Sequence, residues 1–466
     1  MGIPILGNVL QNPKEQEWMQ YTTWSKKYGE IFRLKMLHRT FVIISSRKVA
    51  TELLEKRSMI YSDRSRLVMA GELMGWDKGV TLISSGDRHR KYRRYLHGTL
   101  GATATQQFWD LQERSARDLL RSLLESPDQF LLHIRRVVTA SVVEIAYGHK
   151  ITSNNDPYVT LAQDAQAKFS VAATPNTFAV DWLPLLRYIP EWFPFASFKR
   201  KARLWREELL YLLQMPIDRV KRELDSGSAI QSYTSIMLSK GELSKQHEDE
   251  IAWSALSLYT GGADTTVSAL ATFILVLARN PHIGHKLRAE MDAVTGRNRL
   301  PTFSDRKDLP YLKACLMEVM RWRPPNFPNG VAHRVTVDDE YLGHVIPKAL
   351  TIRRAMMHDE TVYSDPERFI PERFLGEDRD SALAIFGFGR RICPGMHTAQ
   401  DTLYILAASI IHAFEISPPN GLKGSSSLPE VKYTTGLISH PLPFSCSFRP
   451  RSEAVVAIIK DGSLEG

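Results

Sequence analysis

Phe386-Gly387-Phe388-Gly389-Arg390-Arg391-Ile392-Cys393-Pro394-Gly395 is the stretch that decides how the rest of the chain is read. Three glycines and a proline in so short a run make a tight loop. Beyond it, Met396, Ala399, Leu403, Leu406 and Ala407 keep helical spacing, so Cys393 stands just before a helix N-terminus. The helix dipole and the two adjacent arginines favour thiolate over thiol. A thiolate held by backbone amides and shielded by phenylalanines is a good ligand for a soft metal centre, haem iron included. The same features would serve a cysteine nucleophile, but no histidine and acid constellation accompanies it. His397, four residues on, reads equally as a capping or solvated residue.

The other cysteines, Cys315 and Cys446, bring the total to three. An odd, sparse set without a C-x-x-C pair excludes a disulfide framework and a zinc knuckle, and it points to a reducing compartment. The 466 residues are 43% hydrophobic and 24% charged, a soluble globular balance that excludes a disordered chain and a polytopic membrane protein. The net charge of +9 suits an anionic membrane surface, an acidic protein partner or nucleic acid, and composition does not choose among them.

Residues 29 to 45 alternate as a hairpin. From about residue 105 to residue 290 the apolar positions recur at helical spacing, and strand signals return near Val335 to Ile352 and Glu430 to Phe448. This order predicts a mainly α fold with small β-sheets. Length alone suggests about three domains. No repeat, low-complexity tract or long linker separates them, so one domain over residues 1–466 is expected.

Glu248 to Arg279 predicts a helix of about 50 Å, ended by Pro281. Its centre, Gly261-Gly262-Ala263-Asp264-Thr265-Thr266, is poor helix material, each glycine costing about 1 kcal/mol relative to alanine. The glycines would admit a flat ligand to the backbone, and the threonines would bend the helix by bonding its carbonyls. Asp264 and Thr265 supply an acid and a hydroxyl, the parts of a proton relay. A kinked helix with a satisfied polar cluster is the structural alternative. Between Pro310 and Pro324 another helix carries Glu318 and Arg321 on one face, an ordinary ion pair unless Arg373 of Pro371-Glu372-Arg373-Phe374 joins it.

No run of 18 or more mainly apolar residues, and hence no transmembrane helix, is read from the sequence, and the first residues do not form a secretory signal. Residues 182–201 mix Trp182, Tyr188, Trp192, Phe193 and Phe195 with prolines and end on Lys199-Arg200-Lys201. A loop dipping into a membrane surface and a loop buried under helices both fit this composition.

Taken together, Phe386-x-x-Gly389-x-Arg391-x-Cys393-x-Gly395 resembles the haem-binding loop of the cytochrome P-450 superfamily, and Gly261-Gly262-x-Asp264-Thr265-Thr266 its oxygen-activation motif. Glu318-x-x-Arg321 and Pro371-Glu372-Arg373-Phe374 are similar to the remaining signatures, in the family's order. The similarity runs from Gly2-Ile3-Pro4 to Thr434-Thr435-Gly436, and its texture is that of fungal members that tailor secondary metabolites or oxidise foreign compounds.

The resemblance implies a haem ligated through Cys393, with Phe386 beside it and Arg391, Arg93 and Arg334 on the propionates. His89 stands where the family usually has tryptophan, four residues before Arg93. Thr265 and Asp264 would deliver protons during O2 activation, while Glu318, Arg321 and Arg373 would be structural. The family's membrane-bound members carry an anchor and a hinge ahead of the point where this chain begins, which suggests a truncated or short gene model. Residues 346–358 and 374–386 are shorter than the usual pattern.

The expected function is therefore a haem-thiolate monooxygenase acting on bulky apolar molecules of terpenoid, steroid or polycyclic aromatic type. Electrons would come from NADPH through a separate reductase, docked on a basic patch that includes Arg390, since no dinucleotide fingerprint is present. The expected location is the cytosolic face of the endoplasmic reticulum, and nucleic acid is not an expected partner. The alternatives are a haem-binding pseudoenzyme and an O2-independent isomerase or dehydratase. Candidate substrate walls are Met69 to Leu82, Tyr259, Ala263, the residues after Pro325, and Thr435 to Ile438.

Overall fold

The structure is a computed structural model that describes residues 6–12, 17–37, 39–151, 156–174, 177–241, 244–325, 331–348, 351–354, 356–376, 381–419, 432–434 and 437–461. The fold is mainly α with small sheets, as the sequence predicts. Its principal helices are α1 (Asp87–Leu100), α2 (Trp109–Glu125), α3 (Phe130–Tyr147), α4 (Pro157–Ala173), α5 (Ser197–Asp225), α6 (Lys245–Arg279), α7 (Pro281–Thr295), α8 (Pro310–Trp322) and α9 (Met396–Ala413).

Helix α6 starts at Ser244, whose hydroxyl accepts the His247 N–H at 3.3 Å. Every residue from Thr266 to Ala278 is buried, and Leu270, Phe273, Ile274 and Leu277 pack in one core with Leu119 of α2, Ile134 of α3 and Leu406 of α9. A helix apolar on all sides is a central one. This corrects the sequence-based statement on apolar runs: α6 contains a window of mean hydropathy 1.5, long enough to cross a membrane, but 78% of that window is buried inside the protein.

Helix α6 is continuous through Gly261–Thr266 despite its poor helix formers. Thr265 Oγ1 donates to the Gly261 carbonyl at 2.8 Å and Thr266 Oγ1 to that of Gly262 at 2.9 Å. The hydroxyls thus add bonds to the last turn's carbonyls without displacing the helical ones.

A five-stranded sheet has the order β1-β2-β7-β4-β3, where β1 is Ile31–Met36, β2 Arg39–Ile44, β3 Asp63–Arg64, β4 His333–Arg334 and β7 Thr351–Arg354. The predicted hairpin is β1–β2, with Ile31 opposite Ile44. Strand β7 runs parallel to β2 and antiparallel to β4, so chain ends far apart in sequence meet in one sheet. Between them β5 (Asp339–Tyr341) and β6 (His344–Ile346) form a separate ribbon.

Strand β8 (Phe414–Ser417) pairs with β9 (Ser447–Pro450), so the strand signal over Glu430 to Phe448 is placed too early. Of that stretch the described residues form isolated bridges, Tyr433 with Pro441 among them, and the first residues of β9. Residues 349–350, 355 and 377–380 of the two shortened segments lie outside the described residues. On either side of them, β7 is fully paired and a 3-10 helix, Ser381–Phe386, leads into the cysteine loop.

Candidate active site

The cysteine loop closes on itself through the Cys393 N–H, which donates to the Phe386 carbonyl at 2.7 Å. Gly387 and Gly389 take φ of +91° and +53°, and a Cβ on Gly389 would overlap the Leu54 carbonyl oxygen. Only glycine fits there. Gly395 caps α9, which puts Cys393 at that helix's positive end, as predicted. The electrostatics differ from expectation. Burial pushes the Cys393 thiol up, and the Gly395 N–H and Arg93 pull it down by less. A metal cation bound at the sulfur would oppose the effect of burial and favour the thiolate.

Nor do the two loop arginines face the sulfur. Arg390 is exposed, and the Arg391 guanidinium donates to the carbonyls of Ser62 at 2.7 Å, Val80 at 3.2 Å and Ile83 at 2.6 Å. The cation beside the thiol is Arg93, whose Nη1 donates to the Ile392 carbonyl.

Above the loop lies a cavity of about 330 Å³ between α1, α6, β4 and the cysteine loop, with Phe386, Cys393, Gly261 and Thr265 in its wall. His89, Arg93, Arg64, Arg391 and His333 enter the same wall. Burial and the nearby charges of Arg391, Arg93, Arg64 and Arg390 push the His89 pKa down to about 3. Burial likewise lowers Arg391 to about 10. No acidic side chain is among the described walls, so the three arginines, with the neutral His89 imidazole beside them, border a space whose described lining carries no carboxylate. That is a site for an anionic group.

Arg334 is not one of these cations: its guanidinium turns to Asp63, Nε to Oδ2 at 2.9 Å, and it is absent from the described wall. Successive strand residues face opposite ways, so in β4 it is His333 that faces the cavity. The expectation for Arg334 is corrected accordingly.

Of the expected substrate walls, Trp76, Gly79, Val80 and Leu82 line the cavity, as do Pro325, Val331, Leu437 and Ile438, whereas Met69 does not. Residues 326–330, 435 and 436 lie outside the described residues. Tyr259 and Ala263 line a second chamber of about 230 Å³ instead, and Asp264 goes with them. The Asp264 carboxylate accepts from Arg135 Nη1 at 3.2 Å and lies 3.0 Å from His440 Nε2. Burial raises its pKa, but the hydrogen bond and charge of His440, together with Arg135, lower it further than burial lifts it. The acid and hydroxyl expected to act side by side thus face different spaces.

Glu318 and Arg321 are both fully buried and joined twice, at 2.6 and 2.8 Å. Arg373 completes the cluster, Nε to Glu318 Oε1 at 3.3 Å. The remaining donors are also used: Arg321 reaches the Met357 and Arg368 carbonyls, and the Ile370 N–H donates to Glu318 at 2.8 Å. The cluster pins the 357–373 segment onto α8 behind the cysteine loop.

These residues fit a haem. The Cys393 sulfur can ligate iron, the cations Arg93 and Arg391 with the neutral imidazole of His89 match carboxylates, and a Cβ on Gly261 would project into open space, so the α6 backbone is bare on the cavity side. Sequence reasoning missed Arg64, His333, His440 and Arg135. Each reaches its place only through tertiary packing, and no local motif marks it.

The cytochrome P-450 family model matches residues 1–448. The chain is 36% identical to cytochrome P-450 monooxygenase 105 of Postia placenta, over 99% of this chain and 90% of the relative. It is 38% identical to monooxygenase 208 of the same fungus, over 98% and 91%. It is also 35% identical to a tryptamine 4-monooxygenase of Psilocybe cyanescens, over 97% and 92%. With the thiol, the cation cluster and the bare helix backbone converging on one cavity, the chain belongs to the cytochrome P-450 family and is a haem-thiolate monooxygenase.

Proposed function

We propose that this monooxygenase oxidises neutral, bulky, apolar molecules, of the terpenoid, steroid or polycyclic aromatic type, in secondary metabolism or detoxification. The observation that carries this is the cavity wall. Away from the cysteine loop it is lined by Trp76, Leu82, Val142, Phe169, Leu258 and Ile438, with Gln166, Ser257 and Thr260 among the neutral polar groups there. Burial of apolar area drives binding in such a pocket, and a few polar groups orient the ligand. A tryptamine is an ammonium ion at neutral pH, and here it would find no carboxylate among the described walls.

The haem supplies the O2 chemistry, with electrons from a reductase. The chain's own residues divide the remaining work. Cys393 would be the iron ligand and Phe386 would fix the loop through its carbonyl. Arg93, Arg391 and His89 would meet the carboxylates, with Arg64 joining them, whereas Arg334 would act only by holding Asp63. Thr265 would hold a proton at its hydroxyl on the cavity side of α6, and Asp264 would accept protons on the chamber side. Glu318, Arg321 and Arg373 would keep the segment behind the loop in place, and the chain would work as one domain.

Exposed aromatics support a location at the endoplasmic reticulum membrane. Leu185, Trp192 and Phe195 are 78%, 79% and 92% exposed, next to Lys199 and Arg200. Such side chains partition to the headgroup level of a bilayer. An NADPH-dependent reductase would dock on the cysteine-loop side, where Arg390 is exposed.

The test is turnover of the purified protein with reductase and NADPH on a panel of neutral polycycles and arylalkylamines. Hydroxylated product from the neutral compounds is expected. Haem binding without turnover on any of them would favour the pseudoenzyme, and equal turnover of the amines would refute the neutral-substrate reading.

A further inference from the structure

The chamber behind α6 has no part in holding the cofactor or substrate as described so far. It shares Gln166, Leu437 and Ile438 with the main cavity, and its only described charged groups are Arg135 of α3 and Asp264 of α6. Helix α4 contributes Gln163, Gln166 and Ser170, which are uncharged. A polar space of this size holds water readily.

His440 reaches Asp264 from a turn that is fastened to α6. Its backbone N–H donates to Thr434 Oγ1 at 2.9 Å and its carbonyl accepts the Thr434 N–H at 2.8 Å. The preceding carbonyl, of Ser439, accepts from Ser268, one helical turn beyond Asp264. The Ser439 N–H donates to Pro325 at 2.8 Å. The imidazole is therefore fixed against one carboxylate oxygen, 3.0 Å away, while its own side chain stays 19% exposed.

We propose that His440 feeds protons to Asp264 through this contact during turnover, so that the turn carrying His440 is the proton entry of the enzyme. The inference rests on the monooxygenase reading, because O2 cleavage consumes protons that must come from solvent. Each transfer moves the Nε2 proton of imidazolium to Asp264 Oδ2, the carboxyl gives a proton up to water in the chamber that shares Gln166, Leu437 and Ile438 with the cavity, and solvent reprotonates the imidazole. Arg135 faces the same carboxylate but does not release a proton at physiological pH. Among the described side chains bonded to Asp264, the imidazole is the one whose chemistry suits a proton shuttle. His440 is thus a positioning and proton-supplying residue that acts through Asp264.

The experiment compares wild type, His440→Gln and Arg135→Gln as full chains with reductase, reading product formed per NADPH oxidised, the solvent deuterium effect on kcat and its pH profile. His440→Gln is expected to lose about 10-fold or more in kcat, within the range of a lost general acid. It should raise the solvent deuterium effect and waste NADPH, while Arg135→Gln keeps the pH profile. His440→Gln with wild-type kcat, coupling and pH profile would overturn the proposal. Should that variant fail to bind haem, the wild type decides: its coupling must fall as pH rises through the titration of His440. That titration is read by NMR of 15N-histidine protein in the reduced carbon monoxide form, and a mismatch of more than about one pH unit, near the spread of histidine values among proteins, overturns it. If wild-type protein lacks the red-shifted carbon monoxide band, the haem-thiolate reading fails instead.

Discussion

Asp264 and Thr265 are neighbours in α6, yet the Asp264 carboxylate faces the chamber that holds Arg135 while the Thr265 hydroxyl borders the cavity above Cys393. Consecutive helical residues differ by about 100° in direction, so an acid and a hydroxyl at adjacent positions serve two sides of one wall. Protons that arrive on one side must be passed around the helix, and the two residues should fail in different ways when changed.

Thr265→Ala removes a hydroxyl that lies in the cavity and is bonded to Gly261. Substrate entry and haem binding should be unchanged, while product per NADPH falls roughly 10-fold and peroxide rises, consistent with the scale of proton-transfer effects. Asp264→Asn should slow kcat and waste NADPH to the same extent as His440→Gln, which acts through it, but with less peroxide than Thr265→Ala because the cavity side is intact. Measuring NADPH, product and peroxide together separates the two, and identical profiles would refute the division of labour.

The buried cluster at Glu318 should act on folding rather than chemistry. Removing one partner strands the others: Glu318→Ala leaves the fully buried Arg321 without its two carboxylate contacts, and Arg373 without one. The loss is expected at about 3–5 kcal/mol, the range for breaking a buried pair. The measurement is the yield of haem-loaded protein and its unfolding midpoint. A variant with normal loading and midpoint would show that the cluster is dispensable.

What the sequence made legible is what is local in it. The loop at Cys393, the hairpin at 31–44 and the Glu318–Arg321 spacing each lie within one element, where residue type and spacing determine geometry. The positions that sequence reading misplaced depend on pairing across long separations. Which of His333 and Arg334 faces the cavity is set by β4 lying between β7 and β3. His440 meets Asp264 only because Ser439 is fastened to Ser268, and nothing near residue 440 announces it. The separate faces of Asp264 and Thr265 follow from helical rotation, so there the rule was available and the motif reading obscured it.

The aromatic stretch offers a prediction on membranes. Trp192 and Phe195 are 79% and 92% exposed, and no core explains them. Replacing both by serine should leave the carbon monoxide spectrum unchanged and weaken binding to vesicles containing anionic lipid by about 10-fold or more, given about 1.5–3 kcal/mol for each large apolar side chain buried. Vesicle sedimentation reads the outcome. Equal binding of the double variant would assign the stretch another role.

Acid should destabilise the protein through buried histidines, and His412 isolates the effect because it lies away from the cavity wall. It is fully buried in α9, with Nδ1 3.1 Å from Thr295 Oγ1. Burial, then the nearby Arg451, pushes its pKa down to about 4. An unfolded chain has the ordinary histidine value of about 6.5. Between these pH values the unfolded state binds a proton that the native state refuses, so stability rises with pH across the window. The contribution is complete above about pH 6.5 and is lost progressively as pH falls toward 4. At pH 5 it amounts to about 2 kcal/mol, one pKa unit being about 1.4 kcal/mol. His412→Gln keeps a hydrogen-bonding group beside Thr295 and removes the titration. Unfolding by urea, followed through tryptophan fluorescence at pH 7 and pH 5, should show a smaller acid-induced loss in the variant than in the wild type. Parallel losses in the two proteins would mean that His412 accepts its proton in the native state.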